Sequence, residues 1–172
     1  MKELFLAISA AIEAVEGIRW VDFDLGQYED QERQGVAHPA ALIRFDSGTY
    51  FDLASEEQQG EMTITVRIAF DSYLRTHSKT DSDKRAKALE HLDMVELVHR
   101  ALQGLAGENF GTLSRTAFAT EQRADLRIYA LTYVSLVTDD PAAVVPGAAT
   151  DFQPWREVMD GDLNFCHDTE IE

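Results

Sequence analysis

Two spacings in this chain are compatible with catalytic or metal chemistry. Glu96 and His99 stand three residues apart in a stretch of helical periodicity, so both fall on one helical face. Di-iron sites use that spacing, but they need it twice, with further carboxylates on facing helices, and here it occurs once. Glu90 beside His91 has the wrong spacing. Asp22 and Asp24 share one side of a short extended run, where two carboxylates can hold a cation or divide acid and base work. The plainer readings are a solvated helix face for the first pair and a wet strand face for the second. His38 and His77 are scattered, without close ligand spacing.

Cys166 is the single cysteine, so no internal disulfide forms, which suits a reducing compartment. His167 follows it, but a reactive thiolate wants electropositive surroundings and this one sits among acids. The chain has no G-x-S-x-G elbow, Walker loop or G-x-G-x-x-G. The basic residues Lys79, Lys84, Arg85 and Lys87 read as a solvated first helical turn or a contact for an acidic partner. The residues therefore predict no enzyme, no metal and no cofactor.

The elements that position these groups are organised around Gly60 to Tyr73. Met62, Ile64, Val66, Ile68 and Phe70 alternate with Thr63, Thr65, Arg67 and Asp71, the period-2 pattern of a strand with one buried face. Asp81 to Leu105 supplies the lid: Ala86, Leu89, Leu92, Val95, Val98 and Leu102 recur at helical spacing, the Thr80 to Asp83 stretch offers N-cap oxygens, and Gly104 is a stop. Residues 3 to 16 read as a helix with Leu4, Ile8, Ile12 and Val15 on one face. Arg19 to Leu25 and Ala40 to Phe45 read as strands. Gly26 to His38 reads as a long exposed loop, Asp46-Ser47-Gly48 as a turn, and Thr49 to Leu53 as a further short strand or a link. Phe110 to Thr120 and Asp125 to Thr138 read as the last two strands. The expected fold is α+β, a mostly antiparallel sheet of four to five strands in a meander, with an N-terminal helix and one long helix packed on it (α-β-β-β-α-β-β).

In the last strand Leu126, Ile128, Ala130, Val134 and Leu136 make one apolar face and Tyr129, Leu131, Tyr133 and Val137 the other. A strand apolar on both faces needs cover on both. The long helix covers one; the other needs the N-terminal helix or another subunit.

The chain has 172 residues, enough for one full core, with 31 acidic and 15 basic residues and a formal charge of −16. That sign disfavours binding to nucleic acid or an anionic membrane. The N-terminal apolar run is too short to span a bilayer and is interrupted by Glu3, Glu13 and Glu16. The expected domain is residues 1–138. From Asp139 to Glu172, nine acidic residues stand against one basic residue, Arg156, and prolines break any periodicity. That composition predicts an extended or partly disordered acidic arm, in which Phe152, Trp155 and Phe165 are docking points.

The element order, together with ALIRFDSGTYFDLAS, GEMTITVRIAFDSY and LRIYALTYVSLVTDD, resembles the tail terminator (tail completion) proteins of long-tailed bacteriophages over roughly residues 3 to 138. The resemblance implies a virion structural protein, made in the host bacterial cytoplasm, that forms a homo-oligomeric ring, a hexamer by family likeness. Such a ring caps the tail tube and joins it to the neck proteins, and DNA passes through without specific binding. It implies no catalytic residues. An acidic bore suits DNA passage because phosphates are repelled rather than held by basic contacts. On this reading Tyr129, Leu131 and Tyr133 face a neighbouring subunit, and Glu29, Asp30 and Glu32 line the bore. The alternatives are another neck or head-closure component and a monomeric protein-binding adaptor.

Overall fold

The period-2 run that dominates the sequence is the central strand of the molecule. The computed structural model describes residues 1–29, 36–53, 57–71, 77, 79–123 and 126–139, which belong to one unit, Met1–Asp139. The acidic arm lies outside the described residues, apart from Asp139. The elements are α1 (Lys2–Glu13), β1 (Trp20–Phe23), β2 (Ala40–Asp52), β3 (Gln58–Asp71), α2 (Ser82–Leu102), β4 (Ser114–Gln122) and β5 (Leu126–Asp139). This is the expected α+β order. No helix among the described residues is long and apolar enough to cross a membrane.

The five-stranded sheet runs β1-β2-β3-β5-β4, with β3 in the middle. The pairs β2–β3, β3–β5 and β4–β5 are antiparallel. β1 pairs with β2 in parallel, Trp20 opposite Ala40 and Phe23 opposite Ile43, so the expected meander is corrected at its first step. A parallel neighbour needs a return to the same end of the sheet. The stretch after β1 makes that return.

One face of the sheet carries both helices. Met62, Ile64, Val66, Ile68 and Phe70 of β3 share a core with Leu4, Ile8 and Ile12 of α1 and Val95, Val98 and Leu102 of α2. In α1 the i, i+4 spacing of its three apolar residues builds one buried stripe. Each such side chain contributes about 1.5–3 kcal/mol when fully buried. Phe5 of α1 stacks on Phe23 of β1 with ring centroids 3.8 Å apart, which fixes the helix over the short edge strand.

The lid is α2, as expected at Val95, Val98 and Leu102 but not at Leu89 and Leu92. It buries Ala88, Val95, Val98 and Leu102, whereas Leu89, Leu92 and Leu97 are exposed. The reason lies beneath it in β5. A buried tyrosine hydroxyl needs a hydrogen-bond partner. Tyr129 meets His91 Nε2 at 2.8 Å and Tyr133 meets His99 Nδ1 at 3.2 Å. Leucines cannot serve those hydroxyls, so the helix turns its histidine-bearing side toward the sheet. The same packing corrects the outward placement of Tyr129, Leu131 and Tyr133. Leu131 and Tyr133 are buried in the core beneath α2, and Tyr129 is partly buried against it. Asp81 caps α2, its side chain accepting from Asp83 N at 3.1 Å. Gly104, at φ +81°, follows the last turn in the left-handed conformation that glycine adopts cheaply.

The expected turn at Asp46-Ser47-Gly48 is instead the interior of β2, which runs through a bulge between Phe45 and Ser47. Asp46 is taken up by the sheet, accepting from Arg44 Nε at 2.5 Å and Thr65 Oγ1 at 2.6 Å. Beyond the bulge Tyr50 is paired with Gly60 on β3. A side chain at Gly60 would meet the Tyr50 ring at 2.5 Å, so the ring occupies the space the glycine leaves. The two strands stay paired beyond the bulge as far as Asp52 and Gln58. β4 begins at Ser114, later than expected, and Phe110 makes only isolated bridges to Gly107 and Val137.

Candidate functional site

The face of the sheet opposite the helices is closed by a charged cluster. Arg67, in the middle of β3, points to that side and is buried. Its Nη1 donates to Asp24 Oδ2 at 2.9 Å, and its Nη2 lies 2.7 Å from Glu29 Oε1. Glu121 of β4 accepts from both Nε, at 3.0 Å, and Nη2, a two-pronged arrangement that the planar guanidinium favours. The Tyr28 ring sits 5.2 Å from the guanidinium carbon, within cation–π reach. The Asp24 side chain is only 2% exposed and also faces Arg44 Nη1 at 3.6 Å.

Sequence position explains how these groups meet. Asp24 follows β1, Glu29 and Tyr28 lie on the return after it, Arg67 is on the central strand and Glu121 is on the far edge. One side chain therefore ties four segments together across the sheet. Burial opposes the Arg67 charge, but the hydrogen bonds to Glu121, Glu29 and Asp24 outweigh it, and the guanidinium is held still more firmly protonated than usual. Burial raises the Tyr28 hydroxyl far above its ordinary range. That hydroxyl donates to Ala40 O at 3.2 Å. Beside the cluster Tyr28, Leu42, Ala69, Leu126 and Ile128 form a second, smaller apolar core with Val36 packed on it.

An arginine fixed in its charged form cannot shuttle protons, and its three carboxylates are engaged by it. The cluster is a clamp rather than a reaction centre. It also covers one end of the second face of β5: Leu126 and Ile128 pack with Tyr28 and Val36, while Leu136 on that face is exposed.

The sequence-derived candidates fall as follows. Glu29 is in the clamp, with its side chain still largely exposed, while Asp30 and Glu32 lie outside the described residues. Asp22 and Asp24 are not a working pair, because Asp22 Oδ1 accepts from Phe23 N at 2.8 Å while Asp24 is committed to Arg67. Glu96 pairs with Arg100 one turn along, and His99 turns inward to Tyr133, so the E-x-x-H spacing brings no two ligands together. No group of three or more metal-ligating side chains occurs among the described residues. Cys166 and His167 lie outside them.

Two further features were not anticipated from the sequence. In the sequence Arg67 reads as one of the outward polar residues of β3; its signal is a lone basic residue amid β-branched neighbours. The second is a cleft of about 280 Å³ between α2 and the end of β3, lined by His38, Asp71, Lys87, Glu90, His91 and Arg127 over Phe70 and Met94. His38 Nδ1 is 3.3 Å from Asp71 Oδ1. Burial lowers the His91 pKa below its usual value, against the hydrogen bond to Ala88 O, and burial lowers that of His99 as well.

A scan against protein-family profiles gave no match, and a search of curated proteins gave none. Among solved structures, a chain of a structure titled "Virion of native gene transfer agent (GTA) particle" is similar at 12% identity with a TM-score of 0.41, over 77% of this chain and 84% of that one. At that TM-score the likeness establishes no shared function.

Proposed function

We propose that this protein is a phage-type virion structural subunit of the tail-terminator kind: a ring that caps the tail tube, joins it to the neck and leaves an acidic passage for DNA. The observation that carries this reading is a set of apolar side chains exposed at one end of the sheet. There Tyr50, Phe51, Leu53 and Leu136 are exposed, on both faces of the sheet. Apolar side chains exposed at one end of a sheet are the kind of surface that subunit contacts use.

The chain's buried charges support the same reading. They are consumed in holding the sheet, which leaves the domain built for rigidity and contact. The element order also agrees with the order the resemblance implies. A ring with a heterologous interface closes when the rotation fits, and the apolar end of one subunit then packs on a different surface of the next. The formal charge of −16 keeps such a ring from adhering to the DNA it encloses.

The test is assembly on the cognate tail tube, followed by electron microscopy. Phe51→Asp together with Leu53→Asp, both on exposed sites, is expected to abolish capping and leave tails of uncontrolled length. Normal capping by that variant, in protein that melts like the wild type, would contradict the assignment of the apolar end. Rings found on the head side would favour a head-closure role instead.

A further inference from the structure

We infer that the acidic, apolar end of the sheet of one copy docks on the first turns of α2 of the next copy. The inference rests on the ring reading for the use of the sheet end, and it adds the surface that receives it.

The acidic patch lies on the face of the sheet that carries Arg67, at the end away from it. Phe51 is paired with Gln59, Glu61 lies opposite Leu136, and Leu53 N donates to Glu57 O at 2.7 Å. Strand alternation therefore sets Phe51, Leu53, Leu136, Glu57 and Glu61 on one face. The three apolar side chains are exposed. From Gly48 to Glu61 the sequence holds four acidic residues and no basic one. Among the described residues neither Glu57 nor Glu61 enters an ion pair.

The receiving surface lies at the other end of the domain. Gln58 and Asp71 close the two ends of β3, roughly 40 Å apart at a strand's rise per residue. Lys87 of α2 lines the cleft beside Asp71. Lys79, Lys84, Arg85 and Lys87 are all exposed, and among the described residues none of them enters an ion pair. Of the acids between them, Asp81 caps the helix and Asp83 accepts from Ser82 Oγ at 3.3 Å. Arg85, Leu89, Leu92 and Glu96 follow at i, i+4, i+7 and i+11, one stripe of the helix. Leu89 and Leu92 are exposed, and Glu96 is neutralised by Arg100 at 2.5 Å. The stripe therefore offers a cation and two leucines, with Glu90 and Asp93 on the rows to one side.

Charge selects a second copy as the occupant. Two copies that each carry −16 repel at a distance, so a contact between them has to bring unpaired cations against acid. The sheet end and the α2 stripe do so, and each also brings exposed apolar side chains to be covered. The two surfaces differ, and they lie at opposite ends and on opposite faces of the sheet. A joined pair therefore leaves one of each free. Such a heterologous contact adds further copies until the rotation closes it.

The test uses the full chain in sedimentation velocity over a concentration series, with circular dichroism melts to confirm that each variant is folded. The wild type is expected to form oligomers larger than a dimer. Glu57→Lys with Glu61→Lys sets cation against cation and is expected to raise the concentration needed for assembly about tenfold. Lys84→Glu with Arg85→Glu sets acid against acid and is expected to do the same. All four substitutions in one chain restore opposite charges with their signs exchanged, and assembly is expected to return to within about threefold of the wild type. A wild type that stays monomeric or stops at a dimer, two-substitution variants that assemble unchanged, or a four-substitution variant that stays dissociated would each overturn the inference. Normal capping of the tail tube by either two-substitution variant would also overturn this pairing, while leaving the ring reading in place. Oligomers that follow the charge exchange but never cap a tube would uphold the pairing and sink that reading.

Discussion

On one face of the sheet Ile64, Val66, Ile68 and their helical partners exclude water with apolar side chains alone, apart from two tyrosine–histidine hydrogen bonds. On the other face a single guanidinium gathers three carboxylates from segments far apart in the chain. The two closures fail differently. An apolar layer loses stability in proportion to the side chain removed, because neighbours partly collapse into the gap. A charged cluster loses much more when one partner goes, because a buried ion is left without compensation. The helix face therefore supplies most of the burial, while the Arg67 face fixes which segments lie next to which.

The largest expected effect breaks the clamp. Arg67→Met leaves the buried Asp24 carboxylate only the more distant Arg44 and should cost about 3–5 kcal/mol in urea unfolding. Adding Asp24→Leu should recover part of that loss, since a buried ion pair can be replaced by apolar side chains at little cost. If Arg67→Met alone is neutral, the cluster is not what closes that face.

The next effect sharpens the helix face. Leu102→Ala, in the buried stripe of α2, should cost about 2–5 kcal/mol. Leu92→Ala, on its exposed side, should stay within about 0.5 kcal/mol. Equal losses for the two would mean that Leu92, too, faces the sheet as its spacing from Leu102 suggests.

The part of α2 that the sequence does not disclose is its first half, where Ala88 is buried and Leu89 and Leu92 are not. The alternation of β3, the i, i+4 stripe of α1 and the element order were all legible, because each depends on local periodicity. α2 carries apolar residues around much of its circumference, so periodicity alone offers two registers. The choice between them is made by Tyr129 and Tyr133, which are 30 residues or more away along the chain. The clamp was hidden for the same reason. Nothing near Arg67 in sequence shows that Asp24, Glu29 and Glu121 surround it. The parallel pairing of β1 likewise depends on a return whose packing rests on Tyr28, a residue that reads as part of a polar loop.

A smaller effect concerns pH. His91 and His99 have pKa values below the ordinary value of 6.5 in the folded chain, first because burial penalises their charged forms. The unfolded chain then binds more protons below about pH 6.5, so stability is full above that pH and falls as the solution is acidified toward the lowered values. Replacing both histidines by glutamine should flatten the melting temperature between pH 7 and pH 5, relative to the wild type. An unchanged slope would mean that these rings titrate as they do in water.

The smallest expected effect is at the sequence's most catalytic-looking spacing. Glu96→Ala removes an exposed pair with Arg100 and should change stability by no more than about 0.5 kcal/mol. It should also leave the metal content of the purified protein unchanged. Stoichiometric metal that disappears in this variant would reopen the E-x-x-H reading.

The most direct measurement of the central claim is cryo-electron microscopy of the full chain bound to its cognate tail tube, supported by native mass spectrometry at several protein concentrations. The account predicts a closed ring of identical subunits on the head-proximal end of the tube, with the Tyr50, Phe51 and Leu53 end of one subunit buried against its neighbour. Tails that are capped normally while this protein remains a lone, unattached subunit would contradict it.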